Sequence, residues 1–173
     1  MRFLVAALAS GLFCCALPAR SQTDPSQPVS PTAPMAEPSG DFWRLMASPY
    51  TYHYSRDPAH RPVRMIGVER QRADGLVWGG TYFSNSFGQP SVYLYGGERL
   101  SNWSAYPELF AQWTGGLLYG YKGEYKDKVP LNHGGYSPGL VLSVGWQFTP
   151  LYSAQLNVLG NSALMFQVSV DLP

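Results

Sequence analysis

The stretch GLVLSVGWQFTPLYSAQLNVLGNSALMFQVSVDL, residues 139–172, alternates apolar and polar side chains in three successive runs. Successive side chains point to opposite faces of a β-strand, so the stretch predicts strands over Gly139–Phe148, Tyr152–Leu159 and Ala163–Leu172. One face carries mainly Leu, Val, Trp and Phe. The other carries mainly Ser, Gln, Asn and Gly, and its one charged residue is Asp171.

The scarcity of charge on the polar face indicates where that face lies. A face that meets water carries about a quarter to a third charged residues. Ser, Gln and Asn suit a narrow polar lumen, and an apolar face edged by Trp and Tyr suits lipid. The pattern therefore predicts an all-β outer-membrane barrel, with a soluble periplasmic β-domain as the alternative.

The composition of the whole chain agrees with many short strands and turns. Its 173 residues include 18 Gly, 15 Pro and 12 Tyr, whereas only 13% are Asp, Glu, Lys or Arg, about half the usual share. The formal net charge is +1. Such a chain lacks the basic surface that a nucleic acid partner requires.

The first 40 residues predict export followed by a tether. The apolar run Phe3–Leu17 after Arg2 indicates a signal peptide over residues 1–19, and it is too short for a spanning helix. Both cysteines lie inside this run, so the mature chain has none. Residues 20–40 are rich in Pro, Ser, Thr and Gln, which predicts a disordered linker. Residues 41–173 remain for the barrel, which we expect in the bacterial outer membrane.

Period-two patterning predicts eight strands in residues 41–173, after a short amphipathic helix over Asp41–Met46. The five strands before Gly139 are predicted at Tyr50–Ser55, Val63–Arg72, Leu76–Ser84, Ser91–Leu100 and Leu109–Tyr121. The prolines at 49, 62, 90, 138 and 150 are predicted at strand edges, where a missing N–H costs no ladder hydrogen bond. Side chains just fill the interior of an eight-stranded barrel, so an open solute pore is not expected.

Link lengths predict the orientation of the barrel. The tight links 73–75 and 149–151 resemble periplasmic turns, and the long charged segment Lys122–Pro138 resembles an external loop. With the N-terminus in the periplasm, alternation of the strands places these two kinds of link at opposite ends. The same alternation makes 160–162 an unusually short external loop.

The first strand offers the most distinctive group of polar side chains. Thr51, His53 and Ser55 share the face opposite Tyr50, Tyr52 and Tyr54, so they point into the barrel near its outer end. An imidazole near a hydroxyl can act as a base and nucleophile pair if the ring is held in place. The alternative is that His53 and Ser55 are hydrogen-bonded lumen residues.

The order of several short motifs resembles the lipid A palmitoyltransferase family of outer-membrane enzymes. The matching residues are Thr51-Tyr52-His53, Trp78-Gly79-Gly80, and Leu94-Tyr95 with Trp103. The resemblance implies an eight-stranded barrel with a leading helix that moves a palmitoyl chain from phospholipid to lipid A. It also implies a catalytic His on the first strand, with an Asp-Ser pair just ahead of the tryptophan on a later strand.

His53 matches the histidine of that family, and the Asp-Ser pair has no match ahead of Trp103. The chain reads Leu100-Ser101-Asn102 there, and Glu98 is the nearest carboxylate. If the protein is an acyltransferase, the sequence makes His53 the base, Ser101 the first candidate nucleophile and Ser55 the second. The alternative is a non-enzymatic barrel whose loop Lys122–Pro138 binds a partner or stabilises the outer leaflet.

Two further resemblances concern short segments. His53-Tyr54-Ser55-Arg56 is similar to the H-x-S-N element of lipid A 3-O-deacylases. Phe110–Lys128 resembles small proteobacterial outer-membrane proteins, some labelled as glycerol-phosphate transporters, although a packed interior argues against transport.

The remaining expectations concern ligands and partners. His60 and His133 are predicted in loops without a second ligand at metal-binding spacing. We therefore expect no metal and no cofactor. The expected partners are outer-membrane lipids, namely phospholipid and lipopolysaccharide, bound by a monomer.

Overall fold

The computed structural model describes residues 40–172, which form a closed antiparallel barrel of eight strands. The strands are β1 (Phe42–His53), β2 (Met65–Gln71), β3 (Leu76–Ser84), β4 (Pro90–Leu100), β5 (Leu109–Tyr119), β6 (Tyr136–Gln147), β7 (Tyr152–Leu159) and β8 (Ala163–Leu172). Each strand pairs with the next, and β8 pairs with β1 to close the barrel. The predicted eight-stranded barrel is confirmed. The predicted signal peptide and all but the last residue of the predicted linker lie outside the described residues.

The two ends of the barrel differ in their links. The turn rim holds the start of β1, the end of β8 and the links β2–β3, β4–β5 and β6–β7. The loop rim holds the other four links, including the longest, residues 120–135, which contains a 3₁₀ helix at Gly123–Lys128. No helix in residues 40–172 has the length and apolar character needed to cross a membrane. The tight links 73–75 and 149–151 lie at the end opposite the long segment Lys122–Pro138, as predicted, and the three-residue link 160–162 lies at the loop rim.

The helix predicted over Asp41–Met46 is wrong, because β1 begins at Phe42. Phe42 and Arg44 are buried in the lumen, whereas Trp43 and Leu45 are 40% and 49% exposed on the outer face. This is the period-two pattern of a strand, and the segment pairs with both β2 and β8. Apolar side chains on both faces hide the alternation in the sequence.

Two of the prolines predicted at strand edges lie inside strands instead. Pro49 lies in β1, at a bulge where the register with β8 shifts and beyond Ser48, the last residue that pairs with β2. Pro138 lies in β6, which pairs with β7 only from Leu142 onward. At each proline, one side of the strand has no paired neighbour. The missing N–H of the proline therefore costs no ladder hydrogen bond.

The outer surface of the barrel is apolar and carries aromatic side chains near both rims. Four strand Trp residues lie nearer the turn rim, as does Tyr152, and four other strand Tyr residues lie nearer the loop rim, all of them at least 40% exposed. They are Trp43, Trp78, Trp113, Trp146 and Tyr152 at one end, and Tyr50, Tyr52, Tyr82 and Tyr136 at the other. An apolar band between two aromatic girdles is the surface that a transmembrane barrel presents to lipid.

A buried polar network fills the half of the lumen next to the turn rim. Arg44 donates to Asp171 through Nε (2.6 Å) and Nη2 (3.2 Å), and through Nη1 to Glu69 (3.0 Å) and Gln71 (2.9 Å). The two carboxylates and the guanidinium are fully buried. Each charge is therefore paired and hydrogen-bonded, which is the condition for burying it at tolerable cost.

The same network spans the lumen from wall to wall. Glu69 Oε2 also accepts from the Tyr95 hydroxyl and the Gln112 amide, both at 2.9 Å. Gln147 donates to Asp171 at 3.0 Å and accepts from Arg99 at 2.8 Å. Beyond the network, toward the loop rim, the lumen contains a cavity of about 50 Å³. The buried network therefore closes the lumen, which argues against passage of solutes such as glycerol phosphate.

Candidate functional site

His53, the last residue of β1, meets a serine at the loop rim. Its Nε2 lies 2.6 Å from Ser86 Oγ, and both residues are half-buried. Ser86 belongs to the link between β3 and β4, which reaches the same rim because β3 runs parallel to β1. The structure thus forms a histidine and serine pair from residues 33 positions apart.

A tight turn fixes the position of Ser86. The buried Asn85 side chain accepts hydrogen bonds from the backbone N–H groups of Phe87 and Gln89, both at 3.0 Å. Asn is well suited to this role because its short side chain can replace a backbone acceptor in a turn. Gly88 has φ of +80°, which favours a residue without Cβ. Asn85 and Gly88 together hold the serine toward His53.

Aromatic rings pack around the pair. The His60 ring lies against the His53 ring with centroids 4.3 Å apart, and its other neighbour is Phe87 at 5.6 Å. Tyr125, from the 3₁₀ helix, stacks on Phe87 with centroids 4.3 Å apart and planes 13° from parallel. The β5–β6 loop thus packs against the β3–β4 turn and borders the site.

Tyr121, just after β5, also interacts with the Ser86 side chain. Burial raises the pKa of Tyr121 above its usual value, and its interaction with Ser86 only partly opposes that rise. The phenol therefore keeps its proton at neutral pH. Ser86 thus contacts an imidazole nitrogen and has a protonated tyrosine as a neighbour.

Charged side chains surround the same turn. Lys128 Nζ lies 3.6 Å from Asp57 and 5.2 Å from the centre of the Phe87 ring. The backbone N–H of Ala59 donates to Asp57 at 2.9 Å and lowers the pKa of that carboxyl, with further contributions from Lys128 and His60. Asp57 is therefore ionised at neutral pH and neutralises part of the positive charge here.

The structure does not bring the predicted catalytic residues together. Ser101 follows β4, which ends at the turn rim, whereas His53 ends β1 at the loop rim. Glu98 lies near the turn rim as well, opposite Leu76 at the start of β3. Ser55 is on the loop rim but is exposed beyond the end of β1. The structure thus places His53 and Ser101 at opposite rims, because β1 ends at the loop rim and β4 ends at the turn rim.

Ser86 is the residue that sequence reasoning missed. The available signal was strand parity, because β1 and β3 run in the same direction and a residue just after β3 reaches the rim where β1 ends. The prediction relied instead on the position of Trp103. That tryptophan lies beyond the end of β4, at the opposite rim from His53.

The barrel wall has two gaps in strand pairing toward the loop rim. Pairing between β1 and β2 ends at Ser48 and Met65, although β1 continues to His53. Pairing between β6 and β7 begins at Leu142, although β6 begins at Tyr136. Both gaps lie in the half of the wall next to the loop rim.

No group of three or more His, Cys, Asp or Glu residues in the described part of the chain could hold a metal ion.

Two solved structures share the barrel architecture. A de novo designed transmembrane β-barrel matches with a TM-score of 0.55 at 12% identity, covering 80% of this chain and 100% of the design. The N-terminal β-barrel domain of Pseudomonas aeruginosa OprF matches with a TM-score of 0.42 at 10% identity, covering 77% of this chain and 96% of that domain. No protein-family model and no curated protein matches the sequence. The likeness to the designed barrel shows the fold alone, which is that of a transmembrane β-barrel.

Proposed function

We propose that this chain is an outer-membrane acyltransferase that moves an acyl chain from a phospholipid to a second lipid at its loop rim. The observation that carries the proposal is the 2.6 Å contact between His53 Nε2 and Ser86 Oγ. A serine within hydrogen-bond reach of a histidine is the arrangement that activates a hydroxyl as a nucleophile.

The chemistry follows from this contact. His53 Nε2 takes the Ser86 proton as Oγ attacks the ester carbonyl of the donor lipid. The bond between the carbonyl carbon and the glycerol oxygen breaks, and His53 returns the proton to that oxygen. An acceptor hydroxyl then repeats the sequence on the acyl-serine and releases Ser86. If water replaces the acceptor, the same steps hydrolyse the lipid.

The resemblance to lipid A palmitoyltransferases supports the proposal with revised residues. That family carries a catalytic histidine on the first strand and an Asp-Ser pair on a later strand. In this chain the serine that meets His53 is preceded by Asn85, on the link that follows the Trp78-Gly79-Gly80 strand. An amide cannot take up or release a proton as a carboxylate does, so the proposal assigns the base role to His53 alone.

The position of the site on the barrel supports action on lipids. Gaps in strand pairing beside Pro49 and Pro138 interrupt the hydrogen-bonded wall on the loop-rim side, which is where a lipid tail could approach the site from the bilayer. Short links usually face the periplasm, so we place the loop rim, and with it the site, at the outer leaflet.

Mass spectrometry of the lipids tests the proposal directly. Lipid A is isolated from cells that express the wild-type protein or the variants Ser86→Ala and His53→Ala. We expect one added acyl chain with the wild type and none with either variant. The matched controls Ser55→Ala and Ser101→Ala remove the two serines that the sequence suggested, and both should keep full transfer. Identical lipid A in all five strains would reject the acyltransferase.

The second candidate is a non-enzymatic barrel whose β5–β6 loop binds a partner. One observation favours it: Leu131, which lies in this loop with φ of +56°, is 82% exposed. Leu131→Ser would weaken such binding and leave acyl transfer unchanged. Loss of a cellular phenotype with Leu131→Ser, together with unchanged lipid A in the wild type, would favour this function.

A further inference from the structure

The loop rim carries an excess of positive charge around Ser86. Its links hold three acidic residues against six basic ones, whereas the turn-rim links hold two acidic residues, Asp74 and Glu108, and one basic residue, Arg72. The basic residues of the loop rim are Arg56, Arg61, Arg64, Lys122, Lys126 and Lys128, and the acidic ones are Asp57, Glu124 and Asp127. The excess therefore lies at the end of the barrel that holds the proposed nucleophile.

Arg61 is the cation that the structure ties most directly to that serine. Its backbone N–H donates to the Ser86 carbonyl at 2.8 Å, which fixes the position of the residue relative to Ser86. Its side chain extends over Gly88, where a Cβ would lie 3.0 Å from Arg61 Cδ and 3.1 Å from Nη1. The absence of a side chain at Gly88 leaves room for the guanidinium beside the turn.

The Arg61 side chain is exposed and has no acidic partner among the described residues. Within residues 40–172, no carboxylate lies within 4.0 Å of its guanidinium. Lys128, by contrast, is paired with Asp57, and Lys122 Nζ lies 4.2 Å from the centre of the Tyr119 ring. Arg61 is thus a cation held next to the nucleophile whose hydrogen-bonding groups remain open to a ligand.

We propose that Arg61 binds the phosphate of the donor phospholipid while the ester of the same lipid faces Ser86. This inference rests on the proposed acyl transfer. Arginine offers a planar set of donors that fits two phosphate oxygens at once. In a glycerophospholipid the phosphate and the acyl ester share one glycerol, so a side chain next to the nucleophile can reach the phosphate when the ester is in place.

Donors with and without phosphate test the inference. Full-length protein in maltoside micelles is given phosphatidylglycerol or a diacylglycerol with the same acyl chains, and transfer is measured for wild type, Arg61→Gln and Arg61→Lys. We expect Arg61→Gln to raise the KM for phosphatidylglycerol about 10- to 100-fold, as for loss of a hydrogen bond to a charged group. We also expect Arg61→Lys to restore part of the loss and the KM for diacylglycerol to stay unchanged.

Two controls separate this contact from general charge effects. Arg56→Gln removes an exposed cation from the same rim and should leave the KM for phosphatidylglycerol within about twofold of wild type, as for a screened surface charge. An acceptor lipid with its phosphates removed should leave the Arg61→Gln defect unchanged. A defect that disappears with that acceptor would assign Arg61 to the acceptor phosphate, and an equal defect with diacylglycerol would also overturn the proposal.

A binding measurement keeps this inference separate from the reaction. Titration of short-chain phosphatidylglycerol into Ser86→Ala should give a Kd about 10- to 100-fold lower than titration into Ser86→Ala combined with Arg61→Gln. Equal binding by the two variants would overturn the phosphate contact. If the wild type transfers no acyl chain but the difference in binding is found, the proposed function fails and the phosphate contact stands.

Discussion

Arg44, near the start of β1, and Asp171, near the end of β8, form a bidentate ion pair across the seam where the barrel closes. The Nε–Oδ1 and Nη2–Oδ2 distances are 2.6 and 3.2 Å, and both side chains are fully buried. Arg44 binds Glu69 of β2 as well, at 3.0 Å. One guanidinium therefore joins the first, second and last strands inside the lumen.

We expect Arg44→Leu to destabilise the barrel strongly, because it leaves two buried carboxylates without their cation. Removing one partner of a buried ion pair costs about 3–5 kcal/mol. Urea unfolding of the refolded barrel in detergent, followed by tryptophan fluorescence, measures the loss. Arg70→Leu is the control, since its 3.5 Å pair with Asp41 is partly exposed and should contribute at most about 1 kcal/mol. Equal losses in the two variants would show that burial of the network does not stabilise the fold.

Neighbouring glycines on β5 give a second prediction. A Cβ at Gly116 would collide with the backbone of Leu94 and Tyr95 on β4, whereas a Cβ at Gly115 would have no atom within 4 Å. We expect Gly116→Ala to destabilise the barrel by about 1–3 kcal/mol through overpacking, and Gly115→Ala to change it by much less. The midpoint of urea unfolding compares the two. A larger loss for Gly115→Ala would contradict the close packing of residue 116 against the backbone of β4.

The sequence was most informative where one face of a strand is polar and the other apolar. The ranges Tyr152–Leu159 and Ala163–Leu172 were predicted with the bounds that the structure shows. The first half of β1 was missed because Phe42 faces the lumen and Trp43 faces outward, so apolar residues occupy both faces. When the lumen also holds apolar side chains, residue type alone cannot show which face of a strand a residue occupies.

The site was predicted only in part, for a reason of topology. His53 was correctly placed on the first strand near the loop end, but its partner depends on which links reach the same rim. Ser86 lies in a five-residue link without a motif of its own, and only the closed barrel brings it to His53. Local sequence patterns favoured Ser101, and the alternation of strand direction excludes that residue from the loop rim.

The apolar outer band predicts sensitivity to charge at mid-strand positions. Leu142 lies in the middle of β6 and is 53% exposed on the outer face. In lipid bilayers, Leu142→Arg should cost about 2–4 kcal/mol, as for a cation near the bilayer midplane. Denaturant unfolding in vesicles measures the change. Leu131→Arg, at an exposed loop position, should have little effect, and equal stability of both variants would argue that the β6 face does not meet lipid.

The ring stack between Phe87 and Tyr125 predicts how firmly the β5–β6 loop is held against the site. Tyr125→Ala removes a stacked pair worth about 0.5–1.5 kcal/mol, so the loop should open up to about tenfold more often. Limited trypsin digestion at Lys126 and Lys128 should accelerate by a similar factor, because cleavage requires a locally open chain. Tyr106→Ala, an exposed tyrosine in the β4–β5 link, serves as the control and should leave both cleavage rates unchanged. Unaltered cleavage in Tyr125→Ala would mean that contacts other than the stack hold the loop, such as the mutual hydrogen bonds of Gln89 and Lys122 at 3.0 and 3.2 Å.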